Sequence, residues 1–167
     1  MQAITVLKGE NLTLGTGNVL AALRTAAANA RAARINIKRL EISQNGSTTL
    51  AMIRGEMATR DTAGTLTMTS LAPTSISPVA GPISGLSGNT APAGGDGRSG
   101  INSSADSGGA YTSLFPYNFA NLNGYLWVPT PEQEIIIPPS TVFVVRFIAT
   151  PGTTTGWSFT LVLGEEA

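Results

Sequence analysis

The chain has 167 residues, with no cysteine, no histidine, and ten basic residues against ten acidic ones. That length builds one domain with its own core, and such a domain needs neither disulfide nor metal to fold. The missing residue types exclude disulfides, thiolate and imidazole catalysis, and cysteine- or histidine-ligated zinc. The balanced charge excludes a global positive field that attracts nucleic acid.

Only 12% of residues are charged, against about 25% in typical proteins. Ser, Thr, Asn and Gly must therefore supply the polar surface. Such a surface is easily desolvated at a contact, because Lys and Glu are depleted from interface cores. It equally suits a plain Thr/Ser-rich β protein. The segment Met1-Gln2-Ala3-Ile4-Thr5 has neither the basic nor the apolar region of a secretion signal. No apolar run is long enough to span a membrane. The expectation is a soluble product made in the cytoplasm, without a membrane partner.

Ala3 to Leu7 predicts a short strand, with a polar turn at Gly9-Glu10-Asn11 and a second short strand at Leu12-Thr13-Leu14. Residues 19–33 are ambiguous. Asn18 suits a helix cap and the alanines favour a helix, whereas a strand would put Val19, Ala21 and Leu23 on one face.

Residues 34–43 predict a strand whose apolar phase slips at Lys38-Arg39. A β-bulge there lets Ile35, Ile37, Leu40 and Ile42 face one core. Asn45-Gly46 predicts a tight turn, with 48–59 returning as the second strand of a hairpin. Thr65-Leu66-Thr67-Met68-Thr69 alternates as a half-buried strand does.

From 72 to 110 Gly, Pro and Ser dominate, and an extended arm is expected. Structureless segments this long in a compact domain are usually functional or disordered. Aromatic-rich 111–119, then 125–128 and 134–137, read as strands broken by Pro129, Pro131, Pro138 and Pro139. Residues 141–149 are apolar except Arg146, so that strand is expected to be covered on both faces. In the last strand Trp157, Phe159, Leu161 and Leu163 share one face, and Ser158 and Thr160 share the other.

Eight to eleven short strands at this spacing predict a single all-β domain over 1–167, a jelly-roll-like β-sandwich. It would carry an N-terminal segment, 1–17, and a long Gly/Pro/Ser-rich arm, 72–110.

Motifs that suggest chemistry do not survive their context. Gly95-Asp96-Gly97-Arg98-Ser99-Gly100 matches a dinucleotide-binding fingerprint in letters, but the motif works only between a strand and a helix, and a helix is not expected here. Glu132 with Glu134, or Glu56 with Asp61, has the residue types of a glycosidase pair, yet nothing places either pair across a cleft. Asp96, Asn102 and Asp106 lack calcium-loop spacing. Trp127, Trp157, Tyr117 and Phe115 suit either a sugar platform or an intersubunit anchor, while core packing is expected for Trp157 and Phe159. The glycosylation-like triplets at Asn11, Asn45 and Asn102 are chance matches in a chain without a secretion signal. No catalytic, cofactor-binding or metal-ligating residue is assigned, and no enzyme activity is expected.

Several landmarks occur together: Arg34-Ile35-Asn36-Ile37-Lys38-Arg39-Leu40-Glu41-Ile42-Ser43-Gln44-Asn45-Gly46-Ser47, then Thr59-Arg60-Asp61-Thr62-Ala63-Gly64, then the long insertion. Asn121-Leu122-Asn123-Gly124-Tyr125-Leu126-Trp127-Val128-Pro129-Thr130-Pro131-Glu132 follows, and the chain ends with Gly156-Trp157-Ser158-Phe159-Thr160-Leu161 through Glu165-Glu166. This set, over about 28–166, resembles small virion proteins of tailed phages. The resemblance implies a β-sandwich capsid decoration (cement) protein, often trimeric, on the outer capsid surface. Its arms and termini, here including residues 1–9, would reach onto the major capsid protein. The resemblance also implies a strand over 19–25 and a turn near Ala28-Asn29-Ala30. The alternative is a carbohydrate- or receptor-binding module of a tail fibre or spike, in which Trp127 and Tyr125 would be exposed.

Overall fold

The computed structural model describes residues 3–25, 34–70, 74–75, 98–138 and 140–166. They form twelve strands in chain order: β1 (Ala3–Leu12), β2 (Val19–Arg24), β3 (Arg34–Gln44), β4 (Met52–Arg60), β5 (Thr65–Ser70), β6 (Thr74–Ser75), β7 (Arg98–Ser107), β8 (Tyr111–Ala120), β9 (Tyr125–Trp127), β10 (Ile135–Ile137), β11 (Val142–Phe147) and β12 (Trp157–Glu166). A 3-10 turn, Pro131–Gln133, precedes β10.

The strands build two antiparallel sheets. The first runs β10-β3-β12-β1-β6, with β9 beside β10 along the same edge of β3; the second runs β5-β7-β2-β11-β4-β8. They pack as a β-sandwich. Its core takes Leu7, Ile35, Ile37, Leu40, Ile42, Trp157, Phe159, Leu161 and Leu163 from the first sheet. The second contributes Leu23, Ile53, Met57, Tyr117, Phe119, Phe143, Val145 and Phe147. Each such large apolar side chain contributes about 1.5–3 kcal/mol when buried. The Trp157 ring is central: it meets Phe119 edge-on at 6.3 Å and Phe147 at 4.7 Å.

The phase slip in β3 is a bulge. Arg39 pairs with Val162 and Ile37 with Leu163, so Lys38 is the extra residue. The bulge restores one inward parity, and Ile35, Ile37, Leu40 and Ile42 are all buried. The last strand alternates as its sequence predicts, and β11 is buried except at Arg146. In β5, Leu66 and Met68 are buried while Thr65, Thr67 and Thr69 are exposed.

Three expectations are corrected. Asn45-Gly46 does not close a hairpin: β3 and β4 lie in different sheets, and the turn, with Gly46 at φ +90°, carries the chain across the sandwich. Alternation in β4 reports two covered faces but cannot say which strand lies alongside. Gly9-Glu10-Asn11 does not separate two strands, because β1 is continuous through it with an irregular register between Gly9 and Leu12. Val19–Arg24, left open between helix and strand by its own residues, is the strand that the resemblance implies, lying between β7 and β11; burial of Val19 to Leu23 outweighs the helix preference of its alanines. Within the expected arm 72–110, Thr74–Ser75 and Arg98–Ser107 are sheet, since β7 pairs with both β2 and β5, and β6 pairs with β1. Small residues such as Gly100 and Ser103 are what such close packing requires: both are buried. The turn expected at Ala28-Asn29-Ala30, the N-terminal Met1 and the segment 76–97 lie outside the described residues.

Beyond β2, the β5–β7 ribbon folds over the outer face of the second sheet. Strands β2 and β11 stand between β7 and β4, roughly 14 Å of flat sheet. Yet Asp106 on β7 lies 2.7 Å from Arg60 on β4. Under the ribbon a second apolar cluster forms from Val19, Ala22, Ala58, Leu66, Met68, Val142 and Val144, with Tyr111 against it.

Candidate assembly surface

Of the acidic residues weighed as possible pairs, Glu56, Asp61 and Glu134 are held by structural partners. Glu56 is buried and accepts a hydrogen bond at 2.8 Å from Arg146 Nε, its cross-strand neighbour. Asp61 lies in the turn after β4, where its carboxylate accepts from the backbone N–H of Ala63 and of Ala110. Glu134 takes both Lys38 Nζ, at 2.7 Å, and the Asn36 amide, at 3.1 Å. Glu132 is exposed in the 3-10 turn. In each pair at least one carboxylate is held by a basic side chain or by backbone N–H groups. Among the described residues no group of three or more metal-ligating side chains exists.

Asp106 and Asn102 are engaged as well. Asp106 accepts from Arg60 Nε and Nη2 and from the Tyr111 hydroxyl. Asn102 Nδ2 donates to the Thr13 carbonyl, and its Oδ1 accepts from Gly15 N–H. Asp96 lies outside the described residues. Of the glycine motif only Arg98–Gly100 is described, and it opens strand β7, not a helix.

The Arg60–Asp106 pair belongs to a polar network under the ribbon. The Arg146 guanidinium sits 3.7 Å above the Tyr111 ring, and Arg60 lies 6.0 Å from the same ring. Burial raises the Tyr111 phenol above its usual range, and the bond to Asp106 raises it further. Burial pulls the Arg60 guanidinium down, but the bond to Asp106 and its charge outweigh this and leave it raised. Sequence reading noticed Arg146 as the lone charge in an apolar strand. Its partner Glu56 is ninety residues away, and no local pattern connects them.

The aromatic residues mostly serve the core. Trp157 and Phe159 are buried, as expected, and so are Trp127 and Tyr117. Trp127 packs on Phe115 with centroids 5.5 Å apart, and Tyr117 stacks on Tyr125 at 4.5 Å. Gly55 makes room for the Tyr117 ring, since a Cβ there would lie 2.3 Å from it. Burial lifts the Tyr117 phenol well above its usual range.

Among the described residues, five of the nine large exposed apolar side chains lie along the edge strands β8 and β9–β10 of the two sheets; Leu50, Met52, Leu122 and Ile148 lie elsewhere in the chain. Leu114 and Phe115 come from β8, Leu126 and Val128 from β9 and its end, and Ile136 from β10. Large apolar side chains exposed along sheet edges are candidate contacts for a partner. These edges are protected against strand addition. Leu114 is a bulge residue, between Met57–Phe115 and Ala58–Ser113, and Pro116 lacks a backbone donor. Strands β9 and β10 have three residues each, and short edge strands are another guard. The edges therefore present side chains to a partner rather than backbone.

Beside β9, on the outer face of the first sheet, lies a groove of about 380 Å³. Its polar walls come from Glu41, Ser43, Asn123, Ser158 and Thr160, with Leu126 at its rim. Asn121 is a separate hub: its side chain bonds Ala51 N–H, Gln44, Ser47 and Thr49.

No family model, no curated protein and no solved structure matches this chain.

Proposed function

We propose that the chain is a structural virion protein, a capsid decoration (cement) protein that binds and stabilises the shell of the major capsid protein. In this reading it is a homotrimer on the capsid surface, made in the host cytoplasm, and it performs no catalysis. The observation that carries it is the exposure of Leu114, Phe115, Leu126, Val128 and Ile136, set on edges guarded against strand addition.

The strand order supports the finer reading of the sandwich as a jelly roll. β1, β12, β3 and β9–β10 correspond to one four-stranded sheet, and β2, β11, β4 and β8 to the other. β5 to β7 enter as an insertion between β4 and β8. Jelly rolls are frequent in viral capsid and lectin domains, although fold alone does not assign function. The phage-like landmarks of the sequence favour the capsid.

Mechanistically, each contact is weak and the trimer multiplies it. Linked contacts raise avidity by a factor on the order of 10²–10⁴ without any new contact type. A rigid core keeps the contacting side chains in register. Purified particles should contain the chain at fixed stoichiometry by mass spectrometry. Its presence only in soluble lysate sinks the proposal. Light scattering on the isolated chain tests the trimer.

One observation favours a saccharide-binding module instead, the groove lined by hydroxyl, amide and carboxylate groups. Trp127 cannot serve as its platform, being buried. A glycan screen with Asn123→Ala as control discriminates, because Asn123 is exposed and its truncation spares the core.

A further inference from the structure

The sequence holds two Asn–Gly pairs, Asn45-Gly46 and Asn123-Gly124. The backbone nitrogen that follows an asparagine lies within reach of its side-chain amide carbon, and glycine leaves that nitrogen unshielded because it has no Cβ. The local chemistry of the two pairs is the same, but their surroundings differ. Asn45 and Gly46 are both exposed. Gly46 has φ +90°, and a Cβ built on it meets nothing within 4 Å. Among the described residues no group bonds the Asn45 side-chain amide or the Gly46 N–H. The chain is held on either side of this unit instead. Asn45 N–H donates to the Gly156 carbonyl at 2.8 Å, and Asn121 bonds Gln44 and Ser47. Gly124 is half-buried, and a Cβ there would lie 2.9 Å from the Ile42 carbonyl oxygen, so its backbone is packed against β3.

We infer that Asn45 is a self-modification site, converting to aspartate or its β-linked isomer, and that the fold protects Asn123 from the same reaction. Gly46 N attacks Asn45 Cγ and forms a cyclic imide. The Cγ–Nδ2 bond breaks, and Nδ2 leaves as ammonia with the proton that Gly46 gave up. One water then opens the imide. Opening at Cγ leaves an aspartate, whereas opening at the Asn45 carbonyl carbon routes the backbone through Cβ and Cγ. The second product lengthens the crossing from β3 to β4 by one backbone carbon, between the anchors at Gly156 and Asn121. Either product adds one negative charge to a chain whose net charge is zero. Ring closure requires the Gly46 peptide to turn relative to Asn45, and ordering one residue by packing slows such a step by about tenfold.

The test is peptide mapping by mass spectrometry on the full chain, incubated in mildly alkaline buffer. In the folded protein position 45 should convert about tenfold or more faster than position 123. Its rate should rise with pH, because Gly46 N must lose its proton. In urea the two rates should converge, since only local sequence remains. Equal rates in the folded protein overturn the inference. A ratio that persists in urea overturns it as well, because the preference then belongs to the sequence and not to the fold. Intact Asn45 in the folded protein, under conditions that convert it in urea, does the same.

Discussion

Arg60 Nη2 on β4 lies 2.7 Å from Asp106 Oδ1 on β7, although two strands separate them in the sheet. This pair pins the β5–β7 ribbon onto the outer face and closes the second apolar cluster. The Arg60 side chain is 3% exposed and that of Asp106 11%. Asp106→Asn should therefore destabilise the fold by about 3–5 kcal/mol, because it leaves a buried guanidinium uncompensated. Urea unfolding measures this. Arg60→Met combined with Asp106→Leu should recover much of the loss, and a double-mutant cycle should return a coupling well above that of a surface pair.

Tyr117→Phe should stabilise the protein by about 1 kcal/mol. The hydroxyl is buried and has no hydrogen-bond partner among the described residues, and such a group carries an uncompensated desolvation cost. Chemical denaturation of the two proteins at neutral pH decides it.

The same phenols set an alkaline limit. Tyr117 and Tyr111 are both raised above the usual value by burial. The folded state holds these protons more tightly than the unfolded chain, so their contribution is complete below about pH 10. It is lost as pH rises from there through the folded values. Melting temperature should fall on that limb, and Tyr117→Phe should flatten it.

Deleting Lys38 should cost about 3–6 kcal/mol, estimated from two isoleucines at about 1.5–3 kcal/mol each. Without the bulge, Ile35 and Ile37 shift by one residue and turn to the outer face. Circular dichroism and urea titration should report a weakened or lost transition, whereas Lys38→Ala, which keeps the bulge, should cost far less.

Leu126→Asp and Ile136→Asp should leave stability within about 0.5 kcal/mol, since both side chains are exposed. If these edges dock on a capsid, each should reduce binding to particles about tenfold or more in a sedimentation assay. Retention of full binding by both variants removes the edges from the contact.

The all-β class, the alternation of β5 and β12, the double burial of β11 and the bulge at Lys38 were legible in the chain, because side-chain period and parity are local properties of a strand. The absence of histidine and cysteine likewise narrowed the chemistry at once. Which strands pair was not legible. Residues 48–60 have the same alternation whether they return on β3 or cross to the opposite sheet, and the composition of 98–107 hid a strand that pairs on both sides. The Glu56–Arg146 and Arg60–Asp106 contacts exist only because the sheets and the ribbon bring distant segments together. Hydrophobic patterning determined which residues turn inward; tertiary packing alone decided which charge meets which, since an ion pair depends on through-space distance and leaves no period in the sequence.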